Sequence, residues 1–173
     1  MLKKTVTPTI NVLEEVKAYM RITDTNEDAT IQMLINSSVA FAENYTNRQF
    51  GVATFEFYID SLVSGTCLAK TPLVSVDKIE YMDDNGDYQI LDTSIYYSYE
   101  EDGIGKVEII DDIPTYKEHK YAFKITFQAG YSDIPELLMS WLAYKVLEQF
   151  DGVETQVSKF ANNVLDQFKI SEF

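Results

Sequence analysis

The sequence predicts an α+β fold: a small helical bundle interrupted by an inserted antiparallel β unit. Three observations lead there. Apolar residues recur at helical spacing at both ends of the chain, in residues 11–47 and again from 135. Between them, from about 54 to 130, apolar residues alternate with polar ones and turn residues break the runs. Hydrophobic residues make up 46% of the 173, enough to build a core around both patterns. The expected organisation is one domain over 1–173. Residues 1–50 and 131–152 form its helical core, 54–130 a β-rich insertion, and 153–173 a C-terminal segment.

Each element has its own signal. Asn11 followed by Glu14 has capping-box spacing, and Val12, Leu13, Val16 and Met20 follow on one face, so a first helix covers about 11–21. The stretch "RITDTNEDA" ends it. Asp24 and Glu27 then offer a second cap. Ile31, Leu34, Ile35, Val39, Ala42 and Tyr45 mark one face of a longer helix over about 26–47. "TFEFYID" alternates as a strand does. "LVSVDKIEYM" is a second strand, whose change of face between Val76 and Ile79 predicts a bulge. "DDNGD" predicts a hairpin, because Asn-Gly tolerates positive φ at both central positions. "YQIL", "SIYYSY", "GKVEII" and "YAFKITFQA" supply further strands.

Pro135 then opens a third helix, about 135–150, since the residue before a proline avoids helical geometry. Leu137, Leu138, Trp141, Leu142, Val146, Leu147 and Phe150 leave it little polar surface, so it must be surrounded by its own domain or by neighbours. After Gly152, residues Val157, Phe160, Ala161, Val164, Leu165 and Phe168 keep helical spacing. That segment reads equally as a packed C-terminal helix and as an arm that orders on a partner.

Charge bounds the partners. Formal net charge is −14, and residues 54–130, with 6 basic and 15 acidic side chains, hold −9 of it. Such a field repels phosphate backbones and anionic lipid. No apolar run nears the roughly 18 residues of a membrane span, and "MLKKTVTPTINVLEE" lacks the apolar core of a signal peptide. With the single Cys67, these features give the expectation of a protein of a reducing cytoplasm.

Little in the sequence points to catalysis, to a metal or to a cofactor. A nucleophilic pair would require Cys67 to meet His119, the only histidine, and no third group is marked to orient it. Zinc needs more Cys or His ligands than exist. "DTNEDATIQMLI" starts like a calcium loop, but Ala29 stands where the turn needs glycine and Ile35 where a bidentate Glu belongs. "DDNGDYQILDTS" fails in the same way, with Gly86 too early and Ser94 at its end. Acidic neighbours such as Glu100, Glu101 and Asp102, or Asp111 and Asp112, leave carboxylate-dependent hydrolysis open without marking a site.

Three stretches in order carry a resemblance. "NVLEEVKAYMRI", "TDTNEDA" and "TIQMLINSSVAFAENYTNRQF" come first, and "TPLVSVDKIEYMDDNGDYQILDTSIYYSY" follows. "KITFQAGYSDIPELLMSWLAYKVLEQFDG" closes the series. Over about residues 10–152 this layout resembles the head–tail connector (head-completion adaptor) family of tailed bacteriophages. The resemblance implies a structural subunit, not an enzyme. Such subunits form a ring on the portal protein that extends the DNA channel and lets a tail or stopper protein dock. It implies a place in the virion neck, assembly in the host cytoplasm, and DNA passing through without specific binding. In such relatives the C-terminal segment commonly reaches the portal, which by position gives Phe160, Phe168 and Phe173 the portal-binding role. Another neck or tail-completion component is the alternative within the same setting.

Overall fold

The computed structural model describes residues 1–6, 10–152 and 163–170. These fall into two compact units: a β unit of residues 1–6 and 51–131, and a helical unit of residues 10–50, 132–152 and 163–170.

In chain order the elements are β1 (Leu2–Val6), α1 (Leu13–Met20), α2 (Asp28–Thr46), β2 (Ala53–Ile59), β3 (Thr66–Cys67), β4 (Leu73–Met82), β5 (Tyr88–Ile90), β6 (Tyr96–Glu101), β7 (Ile104–Ile109), β8 (Phe123–Ala129) and α3 (Glu136–Asp151). The α+β reading holds, and the three expected helices lie within one or two residues of their predicted ends.

In the β unit, a five-stranded antiparallel sheet runs β1-β2-β8-β4-β5, and a three-stranded one runs β3-β7-β6. The alternation in β8 explains the packing. Phe123, Ile125, Phe127 and Ala129 are buried, while Lys124, Thr126 and Gln128 face the other way. Register puts Phe55 opposite Phe127 with stacked rings 5.4 Å apart, and Phe57 opposite Ile125 and Ile125 opposite Ile79. Leu68, Leu91 and Val107 complete this core. Each such side chain contributes about 1.5–3 kcal/mol by leaving water.

The expected bulge is present, as a register shift in β4 between Val76 and Lys78, with a second between Leu73 and Ser75. The hairpin after β4 differs in detail. Gly86 has φ +94, but Asn85 keeps negative φ, so only one central residue is left-handed. The reason lies in Asp83. Its Oδ1 accepts the N–H groups of Asn85 and Asp87, at 2.9 and 3.0 Å, and holds the loop in a wider turn. Strand β1 was not expected. "LKKTV" has no alternation, and its pairing with β2 supplies the order its own pattern lacks.

In the helical unit, α1, α2 and α3 pack on one another through Val16, Ile31, Ile35, Val39, Ala42, Leu138, Leu142 and Val146, all buried. The predicted caps are corrected. Val12 and Glu27 occupy the N-cap positions without side-chain cap bonds. Asp24 instead accepts the N–H of Asn26 at 2.9 Å and closes the turn before α2. Lys17, almost fully buried, reaches Asp28 at 2.6 Å in the first turn of α2. That hydrogen bond raises the Lys17 pKa. Pro135, expected as the first residue of α3, stands one position before it as the N-cap, with φ −53 and an extended ψ of 138.

Candidate functional site

The helical unit carries the features suited to assembly. The first is the C-terminal end of α2, where residues 163–170 are clasped. Helix α2 ends at Asn47, whose left-handed φ of +59 turns the chain away. A helix end leaves carbonyl groups unpaired. Here the Ile170 N–H donates to the Thr46 carbonyl at 3.1 Å. Arg48 Nε donates to the Phe168 carbonyl at 2.7 Å, and Asn47 Nδ2 to the Ile170 carbonyl at 3.3 Å. The Tyr45 hydroxyl donates to Asp166 at 2.5 Å, which raises the Tyr45 pKa. Lys169 Nζ lies 5.2 Å from the centre of the Tyr45 ring. Val164, Leu165 and Ile170 are buried beneath these bonds.

Phe168 is therefore half-buried and has its carbonyl held by Arg48. Phe160 and Phe173 lie outside the described residues. The roles of Tyr45, Asn47 and Arg48 were not visible beforehand. The run "NYTNRQF" read only as the end of a helix.

The second feature is an aromatic row beside the clasp. Phe41 stacks on Tyr45 at 5.9 Å and on Trp141 at 6.5 Å, with interplanar angles of 15° in both pairs. Trp141 is 3% exposed, as the apolar pattern of α3 required, whereas Phe41 is 51% exposed. The Trp141 indole N–H has no acceptor among the described residues. Leu137, expected within the covered surface of α3, is 40% exposed.

The β unit holds the side chains that the sequence marks as reactive. Cys67 is half-buried, and its thiol donates weakly to the Gly65 carbonyl at 3.7 Å. His119 is exposed, with Nδ1 against the Lys120 carbonyl. Acidic side chains are engaged locally. Glu100 accepts the Leu73 N–H at 3.0 Å, Glu101 pairs with Lys106 at 2.6 Å, and Asp111 accepts the Asp112 N–H at 2.8 Å. Asp83 has a lowered pKa, chiefly from the Asp87 backbone N–H and then the Gln89 amide. Asp92 is lowered by the backbone N–H and hydroxyl of Ser94. Both calcium-like runs thus spend carboxylates on backbone turns. No group of three or more His, Cys, Asp or Glu is placed to hold a metal ion among the described residues.

The outward face of the five-stranded sheet is knit by ion pairs. Buried Glu80 meets Lys124 at 2.7 Å and Lys78 at 3.1 Å. On β2, burial pushes the Tyr58 hydroxyl up to about 12, helped by its 2.7 Å bond to Glu56. Glu80 is thus paired by charge to two lysines of the same sheet, and Tyr58 to Glu56 by its hydroxyl. No described helix is long and apolar enough to cross a membrane.

Comparison with known proteins gives a family and a fold. The model of the head completion protein family matches residues 9–150. Among solved structures, a chain in the virion of a native gene transfer agent particle superposes with a TM-score of 0.80. Its identity is 13%, covering 100% of this chain and 97% of that one. A chain in the neck of the empty particle, computed with C6 symmetry, gives 0.74 at 13% identity, with the same coverage. A chain in the neck of the native particle, computed with C12 symmetry, gives 0.73 at 14%, again over 100% and 97%. No curated protein sequence matches.

Proposed function

The chain belongs to the head completion protein family, and from that premise we propose that it is a structural subunit of the neck of a tailed phage or prophage. The subunit joins copies of itself in a ring on the portal protein. That ring extends the DNA channel and offers a docking surface to the tail or a stopper protein. The single observation that carries the reading is the family match, which spans both the helical unit and the β unit. The neck structures with C6 and C12 symmetry support a ring, because a cyclic array needs one subunit surface to meet a different one repeatedly.

The net charge of −14 suits a channel component that DNA must pass without sticking. Assembly would occur in the host cytoplasm. Phe160, Phe168 and Phe173 are the proposed portal contacts. For Phe168 this reading has the clasp on α2 open, since Arg48 and Thr46 hold the segment in place.

The test is to mix the purified chain with the portal protein encoded in the same genome and image the product by electron microscopy. A ring stacked on the portal is expected. Binding to tail-tube ends alone would make the protein a tail-completion component. Binding to neither would remove the neck assignment.

A further inference from the structure

Helix α2 has an outward face of unusual composition. Its segment "ATIQMLINSSVAFA", Ala29–Ala42, contains no charged residue, in a chain that is 24% charged. Thr30, Met33, Asn36, Ser37, Ala40 and Phe41 are exposed and recur at spacings of three and four, so they form one continuous strip. Met33 is 63% exposed and Phe41 51%. The exposed positions of α1 include Glu14 and Glu15, whereas α3, between its charged ends Glu136 and Asp151, exposes only Leu137, Ser140 and Gln149, too few and too far apart for a continuous strip. A helix face turned permanently to water normally carries charge. This one is dressed for contact.

We propose that the uncharged strip of α2 is the surface on which the next copy of this chain docks in the ring. The inference rests on the neck reading above. Charge selects the occupant. Two copies with a net charge of −14 each repel one another, and an uncharged strip is where they approach at least cost. A basic partner would gain nothing there, because the strip has no acid to meet it. Nucleic acid is repelled by the surrounding field. Small residues, Ser37 and Ala40, sit between Met33 and Phe41 and leave the shallow grooves into which a neighbouring ridge fits. A ring contact joins two different faces. Tyr19 on α1, 50% exposed, and Leu137 on α3 are the other large exposed apolar residues described in the helical unit, and the proposal assigns them to the facing surface.

The experiment uses the full chain with Cys67→Ser, so that Ser37→Cys presents a single thiol on the strip. Iodoacetamide labelling is followed for the free chain and for the chain assembled on the portal. The thiol is expected to label freely in the isolated chain and at least tenfold more slowly in the ring. Met33→Glu is expected to lower ring occupancy at least tenfold with an unchanged melting curve, and Met33→Leu to preserve it. A ring in which the Ser37→Cys thiol still labels freely refutes the strip alone. So does full occupancy with Met33→Glu, or a thiol already shielded in the isolated chain, which would mean that residues 153–162 or another part of the chain itself cover α2. A chain that never stacks on the portal overturns the neck reading and this proposal together.

Discussion

Leu142 and Leu165 offer a matched pair, one in α3 and one in the clasped segment, 0% and 1% exposed. Truncating either to alanine removes the same atoms from comparable burial, yet the consequences should differ. For the clasp, Val164, Leu165 and Ile170 each contribute about 2 kcal/mol by burial. Four hydrogen bonds, from Ile170, Arg48, Asn47 and Tyr45, add about 1 kcal/mol each. Fixing the backbone of residues 163–170 costs about 1–1.5 kcal/mol per residue. Gain and cost both come to about 10 kcal/mol, so the clasp is nearly balanced and closes with about 1 kcal/mol in hand. Such a segment opens locally before the domain unfolds. Leu142→Ala should therefore lower global stability by about 3 kcal/mol in urea denaturation. Leu165→Ala should lower it by no more than about 1 kcal/mol, because the loss saturates once the clasp opens. Native-state hydrogen exchange should show the difference directly, with Leu165→Ala speeding exchange in 163–170 and leaving α2 and α3 unchanged. If Leu165→Ala costs as much in urea as Leu142→Ala, the clasp is an integral part of the core and the reasoning fails.

Three further outcomes follow from the same geometry. Gly130 has φ +134, and a Cβ there would stand 2.3 Å from the Gly51 carbonyl oxygen, so Gly130→Ala should cost about 3 kcal/mol, read as a lowered urea midpoint. Tyr58 keeps its proton to about pH 12 when folded against 10.0 when unfolded. Its stabilising contribution is complete below pH 10 and is lost as pH rises through 12, so Tyr58→Phe should flatten the alkaline fall in stability across that window. Arg48→Ala removes the 2.7 Å bond to the Phe168 carbonyl and should populate the open clasp, raising portal affinity up to about tenfold if opening limits binding. Unchanged affinity by surface plasmon resonance would mean that Phe168 makes no portal contact.

Much of the fold was legible because its signals are local. The alternation of β8 and the face change in β4 depend only on side-chain order, and both were found where the pattern put them. The three helices were equally plain. What escaped depended on partners distant in sequence. β1 is a strand because β2 has an edge to pair, a fact absent from "LKKTV". Asp24 and Glu27 have the spacing of a cap, but Asp24 finds the nearer Asn26 N–H first. The helical spacing from Val157 to Phe168 could not choose between packed helix and free arm. For residues 163–170 that choice was made by Arg48 and Thr46, more than a hundred positions away. The uncharged run in α2 was readable as letters, but its meaning depended on knowing which face is exposed.

The negative charge of this chain comes from 28 acidic residues set against 14 basic ones, and at two positions the fold helps to hold it. Asp83 and Asp92 have pKa values below the ordinary carboxylate range because backbone N–H groups in tight turns donate to them. Charge fixed in this way stays ionised into acid, below the usual titration of an aspartate. At those two positions the charge that keeps copies apart therefore persists into acid. Repulsion of that kind discriminates as well as solubilises. Random collisions between subunits are discouraged over most of the surface, and the charge-free strip of α2 is exempt. Specific contact then requires only modest apolar burial at Met33 and Phe41, since the alternatives are already disfavoured. In the proposed ring on the portal, many such weak contacts acting together would close a collar that no single contact between two subunits could hold.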